Sequence, residues 1–479
     1  MFKKIFNSTV LISFFLSVSS AHSDVLDLKE DQKISIENLL TQKVITLKDI
    51  PSLVIKNNLE LKSLKELINA SSYNLSSKIS KRYPSLDITA NGLPQYLYGK
   101  NYKSSNNDTK TSQIKVNPTL NLRWDLIDPQ RGLDISSARN NFEIAKNNYE
   151  IKKNDLIQEA KLRYHKFQKS YENTKNAQTA VDLSNLSLKD ANSKLDTGIG
   201  TKFEVLEANA QLARDIQFLN ENKIEQEIDK ISLKEILNLD LKKEFTLDNQ
   251  QSIEGYWHYS LSDNIENGIN NSYSLANINL QSLIKKNQSK RFSNANLPKI
   301  YISNNLSSSF TKGSTLSTSI DPKESNSSYT NTISLNFSWM LFNGGQNKNS
   351  SKAKRSEFES EKYKLLDLQN SIKKNISETY LNLLKNQEKL LSTRKEINAS
   401  KEALRLSRLR YDVGISTLKD VLIRQKELTN ARAKKINTIF SYNTNLDKLE
   451  RLTFLQRSIK CMKNSPNSID NKINTLCDY

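Results

Sequence analysis

The chain of 479 residues is 36% hydrophobic and 26% charged, carries a formal net charge of +19 and has a mean hydropathy of −0.63. This composition suits long solvated helices better than one large globular core. It also excludes a bundle of membrane helices, because beyond Val18 no stretch approaches the roughly 20 apolar residues that a spanning helix needs. The basic excess is scattered among Glu, Asn and Ser without forming a tract, so it reads as a solvated face, and no nucleic-acid partner is expected.

The N-terminus sets the compartment. Lys3 and Lys4 precede the mostly apolar run Ile5 to Val18 and then the small residues Ser19, Ser20 and Ala21. That order predicts a secretory signal over 1–23, cleaved after Ala21 or Ser23. The alternative is an uncleaved anchor, for which the run is short and broken by serine. No cysteine lies nearby to carry a lipid. If the mature chain enters a membrane, it must do so by strands.

Proline and glycine outline the rest. Helix breakers are absent from 133–197, 201–254, 346–413 and 415–465, which predicts four long helical segments in two pairs, each pair joined across a glycine turn. The pairs resemble one another. Trp124 and Leu126 match Trp339 and Leu341 at an offset of 215, and Asp196-Thr-Gly-Ile-Gly-Thr201 matches Asp412-Val-Gly-Ile-Ser-Thr417 at 216. Pro84 matches Pro298 at 214. So steady a register indicates an internal duplication. The first repeat is expected over 24–240, with a helix at 48–82, strands at 85–98 and 113–126, and helices at 132–196 and 202–239. The second is expected over 241–455, with a helix at 262–295, strands at 299–310 and 328–341, and helices at 346–412 and 418–453. A periplasmic tail, 456–479, follows.

The strand runs alternate with period two. Even positions of 114–124 read Ile, Val, Pro, Leu, Leu, Trp, and odd positions of 329–341 read Tyr, Asn, Ile, Leu, Phe, Trp, Leu. Each such strand has one apolar and one polar face. The runs 85–98 and 299–310 alternate less cleanly, and the polar stretches 99–112 and 311–328 read as hairpin tips. Trp124 and Trp339 end their apolar stripes where membrane-interface aromatics belong. The long segments instead carry a 3.5-residue period: Ile376, Tyr380, Leu383, Gln387, Leu390, Arg394 and Ile397, continued by Ile439, Tyr442, Leu446 and Leu449. This is the spacing of coiled coils. Four strands are too few for a closed barrel, and lipid tolerates no open edge. The options are a soluble sandwich or, as the alternation favours, a barrel shared among copies.

The order helix, hairpin, long helix, glycine turn and return helix, written twice after a signal, resembles the TolC family of outer-membrane efflux and secretion channels. So do the junctions Trp124-Asp-Leu-Ile-Asp-Pro-Gln-Arg-Gly132 and Trp339-Met-Leu-Phe-Asn-Gly-Gly345, and the turn Tyr411 to Leu422. The match covers about residues 45–455. It implies a mainly α fold with β: a homotrimer sharing a 12-stranded β-barrel, continued by a long α-helical coiled-coil barrel in the periplasm. The location implied is the outer membrane, in contact with its lipid. The partners implied are a periplasmic adaptor and an inner-membrane pump or ABC transporter. Regions near 240–260 and after 455 would form a belt partway along the tunnel.

At the turns the resemblance implies a gate. Glu204 and Tyr411 match lock positions, and Asp420 matches one of two acidic rings that favour cations. Ser416 replaces the arginine of the best-known lock, and Ile423 stands where the second ring would be. An adaptor is expected to dock at Gly198, Thr201, Gly414 and Thr417. From the residues alone, Thr201–Glu204 and Thr417–Asp420 also fit capping boxes that start helices.

No metal spacing, phosphate loop or nucleophile elbow supports an enzyme, and no cofactor is expected. Of the three histidines, His22 lies by the signal, His165 is expected to be solvated on its helix, and His258 is expected to pack beside Trp257 and Tyr259. Cys461 and Cys477 either close the tail as a disulfide or remain free thiols. The rival readings are a periplasmic coiled-coil adaptor, which has one helical hairpin where this chain has two, and a structural protein without a pore.

Overall fold

The computed structural model describes residues 44–102, 109–240, 245–247, 251–316 and 325–459. The signal segment, residues 103–108 and 317–324 within the runs expected as hairpin tips, and both cysteines lie outside the described residues. The chain divides into two units. In the smaller, Val44–Ile45 pairs in parallel with Thr246–Leu247.

The larger unit writes one motif twice. Its first copy holds helices α1 (Ile50–Asn57) and α2 (Leu59–Ser80), then strands β1 (Ser85–Ala90), β2 (Gln95–Asn101), β3 (Thr109–Val116) and β4 (Pro118–Ile127), then helices α3 (Arg131–Asp196) and α4 (Lys202–Ile236). The second holds α5 (Leu261–Asn270), α6 (Tyr273–Asn294), β5 (Lys299–Leu316), β6 (Ser325–Ser338), α7 (Gln346–Asp412) and α8 (Leu418–Thr453). At about 1.5 Å per residue, α3 and α7 each run about 100 Å.

Several expected elements divide. The helix expected over 48–82 breaks at Asn58, whose side chain accepts hydrogen bonds from the amides of Glu60 (2.9 Å) and Leu61 (3.2 Å) and so starts α2 afresh. The helix expected over 262–295 likewise breaks before Ser272, which caps α6 through the Leu275 amide at 3.3 Å. The run 85–98 splits around Gly92, whose φ is +76°. The partner strand splits at Asn117-Pro118, because proline has no N–H for the ladder. β5 runs on to Leu316 and β6 begins at Ser325, so residues expected in a tip belong to strands. β6 stops at Ser338, short of Trp339 and Leu341.

The strands form one antiparallel sheet of four paths. β1 and β2 make the first, β3 and β4 the second, β5 the third and β6 the fourth, each hydrogen-bonded to the next. Register places like with like. Leu86 opposes Leu122, Ile88 opposes Leu120, which opposes Leu306, and Trp124 opposes Ile302, which opposes Leu335. This face is apolar and, toward the β6 edge, exposed at Tyr329, Ile333, Leu335 and Phe337. The other face is polar and cross-linked: Asn121 donates to Asp87 at 2.9 Å and to Thr89 at 3.0 Å, and Asn336 donates to Ser303 at 2.8 Å. The free edges of β1–β2 and of β6 have no strand beside them among the described residues.

Each tryptophan sews its strand end to the loop leaving the preceding helix. Trp124 Nε1 donates to the Arg82 carbonyl (2.9 Å), and Trp339 Nε1 donates to the Asn296 carbonyl (2.8 Å). The duplication thus reaches single hydrogen bonds. Below the sheet, α3 packs on α4, α6 and α8, while α7 packs on α6 and α8. The segment 251–260 crosses α7 and α8. Trp257 is buried with Tyr380, Leu383, Tyr442 and Leu446, and the Tyr442 hydroxyl donates to the Gly255 carbonyl at 3.0 Å.

Candidate functional site

Two regions gather the polar chemistry: the turns at the far end of the long helices, and the seam between α3 and α8. Both turns are built alike. Gly198 and Gly414 adopt φ of +76° and +79°, which residues with a Cβ rarely reach. They end α3 and α7 with matching reverse bonds, Ile199 N–H to the Lys194 carbonyl (2.9 Å) and Ile415 N–H to the Arg410 carbonyl (2.8 Å). Thr201 and Thr417 then cap α4 and α8. Each hydroxyl accepts from the amide three residues on, and Glu204 and Asp420 return to the cap amides at 3.3 and 3.2 Å. The two bonds Asp420 accepts from Thr417, backbone and side chain, hold its carboxyl below the usual range. Helix starting therefore accounts for part of what Thr201, Glu204, Thr417 and Asp420 do.

Around these turns the four long helices close over a cluster of Ala191, Ala208, Leu404, Tyr411, Leu418, Val421, Leu422 and Leu428. Tyr411 is 5% exposed, and its hydroxyl has no hydrogen-bond partner among the described residues. Burial, then the charges of Glu204, Asp190 and Asp412, push that hydroxyl up to about 12. Glu204 and Tyr411 are therefore neighbours electrostatically, yet no hydrogen bond joins them. Lys194 stands over the Tyr411 ring instead. The Ser416 hydroxyl donates to the Ser407 carbonyl at 3.5 Å, and its amide to the Arg410 carbonyl at 3.3 Å. Ile423 is exposed, as are Ile199, Phe203, Val413 and Ile415 about the turns.

The α3–α8 seam corrects the expectation for His165. It is not solvated but 1% exposed, with Nε2 3.0 Å from Asp447 Oδ2 and Nδ1 3.2 Å from Gln168 Oε1. Arg457 also contacts Asp447, and it donates to Glu450 at 2.7 Å through Nε. Lys161 bridges Asp447 (3.3 Å) and Glu450 (3.0 Å). Asp447 lies one position off the Leu446–Leu449 stripe, and nothing local marks it as buried. Only the partner helix does. His258 is half-buried with neither ring nitrogen hydrogen-bonded among the described residues. No group of three or more His, Cys, Asp or Glu among the described residues is placed to hold a metal ion.

An amphipathic four-path sheet with open edges, standing on helices about 100 Å long in a twofold repeat, defines a channel-forming class of protein. The chain belongs to the Outer membrane efflux protein family, whose profile matches residues 50–239 and 289–453. The fold is shared with solved outer-membrane channels. The OprN channel superposes with a TM-score of 0.71 at 14% identity, over 85% of this chain and 89% of that one. The Campylobacter jejuni CmeC channel gives 0.70 at 16% identity over 89% of both. The Neisseria gonorrhoeae MtrE channel, solved in its open state, gives 0.68 at 14% identity over 86% and 90%. No curated protein matches the sequence. The protein is thus a TolC-type outer-membrane efflux channel, of a class that conducts and does not catalyse. No helix among the described residues is long and apolar enough to cross a membrane.

Proposed function

We propose that three copies share one 12-stranded barrel in the outer membrane and one helical tunnel in the periplasm. In this reading the trimer is the passive exit duct of a tripartite efflux or type I secretion system, taking substrate from an inner-membrane pump through a periplasmic adaptor. One observation carries it. At the offset of 216, the residues that bury α8 against α3 recur on α4, and there they are exposed. Asp447 becomes Ile231, Gln425 becomes Asn209 and Leu422 becomes Leu206, while His165 of α3 becomes Leu381 of α7. Ile231 is 53% exposed and Leu381 is 59% exposed. The contact that α3 makes with α8 inside the chain has its repeat partner in α7 meeting α4 of another copy.

The sheet supports the same count. Two copies would give eight strands, whose interior side chains fill, whereas three leave an aqueous passage. The apolar face with Ile333, Leu335 and Phe337 then meets lipid, and the Asn121–Asp87 face meets water. Trp124 and Trp339, at the strand ends, sit at the membrane interface. At the turns, three copies of Asp420 form a single acidic ring about the axis, Glu204 and Tyr411 belong to the gate, and the adaptor docks on the tips around Gly198, Thr201, Gly414 and Thr417.

Purified trimer in planar bilayers tests the duct. Discrete cation-selective steps, with selectivity lost in Asp420→Ala, are expected, and a protein that remains a soluble monomer without detergent would sink the proposal. Docking is better probed at Ile199 and Ile415 than at the glycines, whose φ makes any substitution a backbone change. Ile415→Glu should abolish adaptor capture with the trimer intact.

A further inference from the structure

Near the turns, a polar tie across the two hairpins runs from α3 to α7. Lys194 Nζ lies 3.5 Å from the Tyr411 ring centroid and donates to the Tyr411 carbonyl at 2.5 Å. The two attractions reinforce one another. The carbonyl lies in the last turn of α7, where the helix dipole draws cations. The ring face offers its negative quadrupole to the same ammonium. Asp190, Asp412 and Glu204 are near enough to act on Tyr411. The Tyr411 hydroxyl, buried and without a hydrogen-bond partner among the described residues, ties nothing down.

We propose that Lys194 is the positioning residue that holds the tip closed within each copy, acting on the ring and main-chain carbonyl of Tyr411 and not on its hydroxyl. The proposal rests on the duct reading and adds to it the group that does the holding. The repeat makes the latch one-sided. At the offset of 216 Lys194 becomes Arg410 and Tyr411 becomes Leu195. A repeat-related tie between copies would set a guanidinium against an aliphatic side chain, with no ring to hold it.

Single-channel conductance of the assembled protein separates the possibilities. Lys194→Met and Tyr411→Leu should each raise conductance several-fold. Lys194→Arg and Tyr411→Phe should stay near wild type, because the cation and the ring survive in them. Amide exchange over 405–416 should quicken in Lys194→Met and not in Tyr411→Phe, at unchanged oligomer stability. Wild-type conductance in Lys194→Met overturns the latch while leaving the duct standing. So does Tyr411→Phe opening as widely as Tyr411→Leu, which would make the hydroxyl the tie. A wild-type protein that forms no conducting steps overturns both.

Discussion

Replacing Asp447 by alanine should loosen the seam between α3 and α8 more than any other single change there. The carboxylate is 3% exposed and faces His165, Arg457 and Lys161. Its removal leaves buried cationic groups short of a partner. Breaking a buried pair in this way costs about 3–5 kcal/mol. Since about 1.4 kcal/mol is tenfold, amide exchange over 160–170 and 443–453 should accelerate at least about 100-fold in local opening. The repeat supplies its own rescue. His165→Leu with Asp447→Ile copies the apolar pair Leu381 and Ile231, and replacing a buried ionic pair by packed apolar groups is often neutral. Exchange in that double variant should recover only part of the loss, because Arg457 and Lys161 remain and keep Glu450 as their carboxylate. The same seam fixes a pH response. Burial pushes the Asp447 carboxyl up, but the His165 hydrogen bond and the charges of His165, Arg457 and Lys161 outweigh it, holding the group below the usual carboxylate range. A carboxyl lowered on folding stabilises above its unfolded value of about 4 and loses that contribution as pH falls toward the folded one. Protection should hold at about pH 5 and fail only in stronger acid. Exchange in Asp447→Ala within threefold of wild type would refute the reasoning.

Other substitutions test the turns and the strand ends. Thr417→Ala removes a helix cap worth about 1 kcal/mol and one of the bonds that depress Asp420, so the Asp420 carboxyl should titrate closer to its ordinary range by NMR. Unchanged titration would place the cause elsewhere. Trp124→Phe and Trp339→Phe each delete one indole-to-carbonyl bond, at about 0.5–1.5 kcal/mol. Because the two bonds are repeat-related, thermal melting of the assembled protein should drop by similar amounts in both, and a large drop in only one would contradict that equivalence.

Much of the frame is written in the breakers. The spacing of proline and glycine marks the long helices, and the steady offset marks the duplication, because both rest on backbone rules that act within a few residues. Where the structure departs from that frame, the competing signal is equally local but weaker. Asn58 and Ser272 cap new helices inside runs that otherwise read as continuous, because a short polar side chain competes for the backbone amides. The Asp447 partner of His165 lies 282 residues away, and no periodicity on α3 announces it. Lys194 is one lysine among many until the fold sets Tyr411 beneath it. Ile231 and Leu381 are exposed apolar residues on different helices, and their meaning comes from the buried Asp447 and His165 that they match in the repeat.

The central claim is that the unfilled faces of α4 and α7 meet across copies. A chain carrying Ile231→Cys and Leu381→Cys, with Cys461 and Cys477 changed to serine, can be treated in the outer membrane with a short thiol-specific cross-linker. A covalent ladder ending at three chains is expected on a denaturing gel, and neither single-cysteine chain should give it. Chains that stay monomeric, although both thiols react, would contradict the account.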